Sequence, residues 1–152
     1  MEEVFDLAAR AVVTVTSSLR GCRDLDKRVR GVFESLANML TPVRPGEAKL
    51  RVLRAKAWVA RQVGKWESRR ERRHCDGLPR VAGAVINACL DRIVELASGS
   101  GESLASYLSV FSTTCKWLSE LAPYRVNVLP RVWSASQAAK IKYEEVIAGM
   151  LK

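Results

Sequence analysis

Apolar residues recur at steps of three and four along almost the whole chain, and no segment pairs strict alternation with β-branched residues and hairpin turn chemistry. That period puts one apolar stripe on a helix and leaves nothing for a sheet face. The expected fold is therefore all-α, a single-domain bundle of about six amphipathic helices over residues 1–152. At 152 residues and 48% hydrophobic residues, the chain can bury a real core. Proline and glycine clusters divide it.

Residues 2–20 place Val4, Ala8, Ala11, Val12, Val15 and Leu19 on one face. Arg20-Gly21-Cys22-Arg23 breaks the pattern, and Asp24 suits an N-cap. A second helix is predicted from about Leu25 to Leu40, with Leu25, Val29, Val32, Phe33, Leu36 and Leu40 inward. Pro42 and Pro45 forbid helix through the linker that follows. A long helix is expected over about 47–74, stopped by Asp76-Gly77-Leu78-Pro79. The fourth runs from about Arg80 to Ala97 with Val81, Val85, Ile86, Cys89, Ile93 and Leu96 inward. Ser103 is the expected cap of the fifth, whose inner face is Leu104, Tyr107, Leu108, Phe111, Cys115, Leu118 and Leu121, and Pro123 is expected to end it. Pro130 opens a predicted sixth helix that reaches the C-terminus.

The 47–74 helix carries the charge. Between Glu47 and Arg80 stand eleven basic and four acidic residues, a balance of +7 in a chain of net +9. Arg51, Arg54, Trp58, Arg61, Lys65, Arg69 and Arg72 fall in one stripe, with Val52, Leu53, Val59, Ala60, Val63 and Trp66 as the apolar face. Such a helix docks on a core and presents its charge outward. Arg outnumbers Lys 17 to 8, and Arg suits phosphate oxygens and stacking. With a pI near 9.8, the expected partner is a polyanion, namely nucleic acid, DNA or RNA. Trp58 inside the stripe is the candidate for stacking on a base, while Arg70 and Arg73 add nonspecific charge. The stripe has no Asn or Gln, which favours backbone contact over reading of base edges.

Other chemistries have little to stand on. Cys22, Cys75, Cys89 and Cys115 form no CxxC pair and the chain has one histidine, so the common zinc patterns are excluded and no metal or cofactor is expected. Cys89 and Cys115 fall on apolar faces as core residues. Cys22 and Cys75 sit near helix ends, where they could meet in a disulfide or stay reduced in an ordinary cytosol. Glu2-Glu3 and Glu144-Glu145 read as solubility charges. Ser103, Ser106, Ser109 and Ser112 follow a three-residue step suited to close helix approach, with no base to activate them. There is no Gly-rich phosphate loop and no run of about 20 apolar residues. The N-terminus reads as neither signal nor transit peptide, so a cytoplasmic or virion location is expected.

Arg69 and His74 form an Arg-x4-His element that resembles the one in HEPN-family ribonucleases. That resemblance implies metal-independent RNA cleavage in a dimer with both residues in the site, although Arg70 stands where the family has a small polar residue. Size, helix-only pattern and basic character are also similar to the small helical subunits of type III CRISPR effector complexes, as is the tail from Val132 to Lys152. The same features resemble coat proteins of filamentous archaeal viruses. Both of these likenesses imply many copies lining a nucleic acid without chemistry. The reading is a non-enzymatic nucleic-acid-binding subunit of a homo- or hetero-oligomer, with no membrane and no small-molecule substrate. Its alternatives are the HEPN-like ribonuclease and a protein-interaction subunit without nucleic acid.

Overall fold

A computed structural model describes residues 2–69, 77–99 and 103–125 of the chain. Among the described residues there are five α-helices and no strand. They are α1 (Glu2–Ser18), α2 (Leu25–Leu40), α3 (Ala48–Arg69), α4 (Arg80–Ser98) and α5 (Leu104–Arg125), with a 3-10 turn at Pro45–Glu47 leading into α3. The predicted sixth helix lies outside the described residues, as does the 70–76 end of the basic stretch.

The core is built on α1. Its expected face is buried, and so are Leu7, Ala9 and Thr16, because α4, α5 and α2 all pack on it. A helix enclosed from several sides needs apolar residues over more than one stripe. Its polar residues answer to their own backbone, with Thr16 Oγ1 donating to the Val12 carbonyl at 2.8 Å. Two thiols close on α1 from opposite neighbours. Cys89 on α4 donates to the Leu7 carbonyl at 3.5 Å, and Cys115 on α5 lies 3.9 Å from the carbonyl of Ala8. Burial pushes the Cys89 thiol up to about 11 and raises Cys115 well above the ordinary thiol range. Both act as small core residues, as their apolar positions predicted.

Helix α2 keeps its expected bounds and lies against α5. At that contact Ser112 donates to the Ser109 carbonyl at 3.3 Å, which leaves its oxygen to accept from Thr41. The three-residue serine step thus ends in one buried hydroxyl that pins the end of α2, while Ser103 and Ser106 stay exposed at the start of α5. Ser103 caps α5, its Oγ accepting from the Ser106 amide at 3.2 Å. Two glycines set how closely α3 is approached. A Cβ on Gly77 would stand 2.5 Å from the Gln62 carbonyl oxygen, and one on Gly83 would stand 2.5 Å from Val63 Cγ2. Both therefore have to be glycine for the loop before α4, and α4 itself, to seat on α3.

Several expectations are corrected. Asp24 stands at the N-cap position of α2 but makes no side-chain cap bond. Its backbone is left-handed at φ 56°, a conformation Asp tolerates, and the turn is made by Gly21 at φ 90° with it. Pro123 does not end α5, which continues to Arg125; this near the terminus its missing N–H forfeits a single backbone bond. Val81 points outward at 66% exposure, since the inner face of α4 runs through Ala82, Ile86, Cys89 and Ile93 and Val81 falls on its far side. Glu3 is more than a solubility charge. It accepts from Arg92 Nε at 2.7 Å and so joins α1 to α4. Cys22 is disulfide-bonded, whereas Cys89 and Cys115 are free. Cys75 lies outside the described residues.

Candidate nucleic-acid interface

Helix α3 forms because alanines, leucines, lysines and arginines dominate it and its valines are spaced apart. Its buried row is Ala48, Val52, Ala55 and Val59, with Val63 and Trp66 partly covered. The expected apolar face was placed too far round. Leu53 is 63% exposed and Ala60 is exposed, because the row that α2 and α4 cover is centred on the two alanines that the pattern had left out.

Four cations of the expected stripe can be placed on this helix. Arg54, Arg61 and Lys65 are exposed, and Arg51 is half-covered at the flank, 3.9 Å from the Glu47 carboxylate. From Ala48 to Trp66 the chain has six Lys and Arg and no Asp or Glu. Among the described residues Arg54 and Arg61 make no ion pair. On the other flank Lys56 is neutralised by Asp91 of α4 at 2.5 Å. Lys49 is exposed on that same flank, so positive charge is denser on the α2 side without being confined to it. From Arg51 to Lys65 the row runs ~21 Å along the axis, which matches about six nucleotides of a strand. Arg69 closes α3 and its side chain is not described. Arg70, Arg72, Arg73 and His74 lie outside the described residues, so the Arg69–His74 pairing of the HEPN resemblance has no geometry here.

Trp58 departs from its expected setting. It does not stand free in the stripe but is half-buried and packed against the core. It also lines a groove of about 310 Å³ between α2 and α3. Leu19, Val32 and Leu78 also line it, with Arg28, Gly31 and Ser35 of α2 across from Trp58 and Gln62 of α3, and Gly77 at one end. Arg28 Nε donates to the Arg23 carbonyl at 3.3 Å. Sequence reasoning missed Arg28, Gly31, Ser35 and Gln62 because they come from two helices some thirty positions apart. Gly31 was the one available signal, an interior helix glycine with nothing among the described residues within 4 Å of where its Cβ would be. Gln62 sits beside the stripe and supplies the amide that the stripe itself lacks.

A second groove, of about 560 Å³, runs between α3 and α4 past Leu53, Lys56, Asp91, Val94 and Glu95. Its charges are mixed and already partly paired. On α4 the Asn87 side-chain oxygen is buried with no hydrogen-bond partner among the described residues. Among the described residues no three His, Cys, Asp or Glu are grouped to hold a metal, and no helix is long and apolar enough to cross a membrane. Comparison with protein-family models, curated proteins and solved structures finds no match to this chain.

Proposed function

We propose that this chain is a non-enzymatic nucleic-acid-binding subunit that holds the strand backbone along the outer face of α3 as one of many copies in a nucleoprotein assembly. One observation carries the reading. Over Ala48–Trp66 the cations have no carboxylate among them, and exposed Arg54 and Arg61 have no ion-pair partner among the described residues. An exposed row of like charge destabilises its own helix by repulsion, so a polyanion that releases counterions is its natural complement. Arg51, Lys65 and Arg69 extend the row, and Arg70, Arg72 and Arg73 continue the charge beyond it. In the same proposal the stretch from about Pro130 to Lys152 completes a bundle as its sixth amphipathic helix.

The test is binding to a nucleic acid over a salt series. Wild-type affinity should fall steeply with salt, and Arg54→Glu with Arg61→Glu should lower the slope by about 0.7–0.9 per lost phosphate contact. A flat salt dependence, or no binding at low salt, would sink the reading.

A second reading, a protein-interaction subunit, is favoured by one further feature of α3. Leu50, Leu53, Ala57, Ala60 and Gly64 recur at steps of three and four and are all exposed. That row is the spacing of a helix-pairing seam, tapering from large to small side chains. Arg54 and Arg61 border it, so a partner helix and a polyanion would use adjacent faces of α3.

A further inference from the structure

We infer that the groove between α2 and α3 takes one unstacked base of a single strand whose phosphates run along the α3 row, so that the chain prefers single strands to duplex. The inference rests on the polyanion reading and adds a ligand class to it.

The groove lies on the flank of α3 that carries the row, since Trp58 falls between Arg54 and Arg61 at helical spacing. A strand held by those two cations passes directly over the opening. Charge complementarity thus fixes what approaches the groove, and its lining fixes what enters. The volume of about 310 Å³ lies at the small end of the range for organic ligands. Trp58 brings an aromatic side chain already packed against the core, so little side-chain freedom is lost when a base stacks on it. Arg28 lines the opposite side, where a guanidinium favours a π-face.

The polar groups are tolerant. The Ser35 hydroxyl and the Gln62 amide each donate and accept, so either can meet the edge of any base. Gly31 keeps the α2 wall low, because no side chain projects from it into the space. A duplex cannot use this site. Its bases are stacked and paired, so it offers α3 only phosphates, whereas a single strand can turn one base out at no pairing cost.

The experiment measures anisotropy of three labelled probes of about 12 nucleotides: oligothymidine, the same strand with abasic positions, and a duplex. Wild-type protein should bind oligothymidine about 5- to 150-fold tighter than either of the others, the fold-change of one stacked base. Gly31→Leu fills the groove from open space and leaves the row untouched. It should erase the preference while duplex affinity and salt slope stay as they were, and Gly31→Ala should keep most of the preference. Circular dichroism confirms that each variant is folded. Equal wild-type affinity for all three probes would overturn the inference and leave backbone binding standing. A preference that survives in folded Gly31→Leu would also overturn it. No binding of any probe at low salt would remove both readings together.

Discussion

Three glycines show how the same residue type does opposite work in this chain. Gly77 and Gly83 are closed on by α3, the first by the Gln62 carbonyl and the Trp66 Cβ at 2.5 and 2.6 Å, the second by Val63 Cγ2 at 2.5 Å. Gly31, within α2, has nothing within 4 Å of a Cβ position among the described residues. Their alanine variants should therefore differ in sign. Gly83→Ala must displace a stiff β-branched side chain and should cost about 1–3 kcal/mol. Gly77→Ala meets backbone, which cannot rotate away, and should cost more than Gly83→Ala. Gly31→Ala should stabilise by about 0.5–1 kcal/mol through helix propensity. Thermal melts of the three variants decide this, and a common sign would contradict the packing. The cysteines give a second residue-scale test. Buried thiols with raised pKa stay protonated and unreactive at neutral pH. Cys89 and Cys115 should resist iodoacetamide in the native protein and both react once it is unfolded without reductant. Cys22 should react only after reduction.

At the scale of elements, helix identity and bounds could be read from periodicity and punctuation, and α2 falls where its pattern predicted. What could not be read was the rotation of each helix about its axis. On α3 both alanine and leucine count as apolar, so the pattern admits two faces. Packing chose the one with Ala48 and Ala55, because α2 and α4 approach α3 closely there, and Leu50 and Leu53 were left outside. The outward setting of Arg54, Arg61 and Lys65 was legible because a charged side chain is costly to bury. The groove was not, since it exists only when α2, α3 and the loop before α4 meet. The exposed leucines carry a prediction of their own. If α3 pairs with another helix, Leu53→Glu should abolish self-association seen by sedimentation, and a single protomer's affinity for a short oligonucleotide should fall only modestly from the added charge. Unchanged mass in solution would show that the row of leucine and small residues makes no contact between copies.

For the molecule as a whole, α1 is enclosed by α2, α4 and α5, and its outer end is fastened by charge. Arg92 donates to both Glu3 oxygens, at 2.7 and 3.3 Å, and to Glu95 at 2.9 Å. This group ties the start of α1 to α4, residues 89 positions apart, where the core thins toward solvent. The hydrogen bond from Arg92 holds the Glu3 carboxyl below its ordinary 4.5, with burial opposing and the two nearby positive charges assisting. The same pairing raises Arg92 further above its already high range, so Arg92 does not titrate in any useful window. A carboxyl whose folded pKa is depressed binds its proton more readily in the unfolded chain. Its contribution is complete above 4.5 and is lost as pH falls through the folded value. Glu3→Gln should therefore melt below wild type at neutral pH, and the gap should close in acid. Because the pair is solvent-exposed, about 1 M salt should shrink the neutral-pH gap as well. The measurement is a set of melting curves for both proteins across the acid range at low and high salt. A gap that stays constant with pH would mean that Glu3 acts through packing and not through its charge. A gap that widens in acid would contradict the pairing with Arg92.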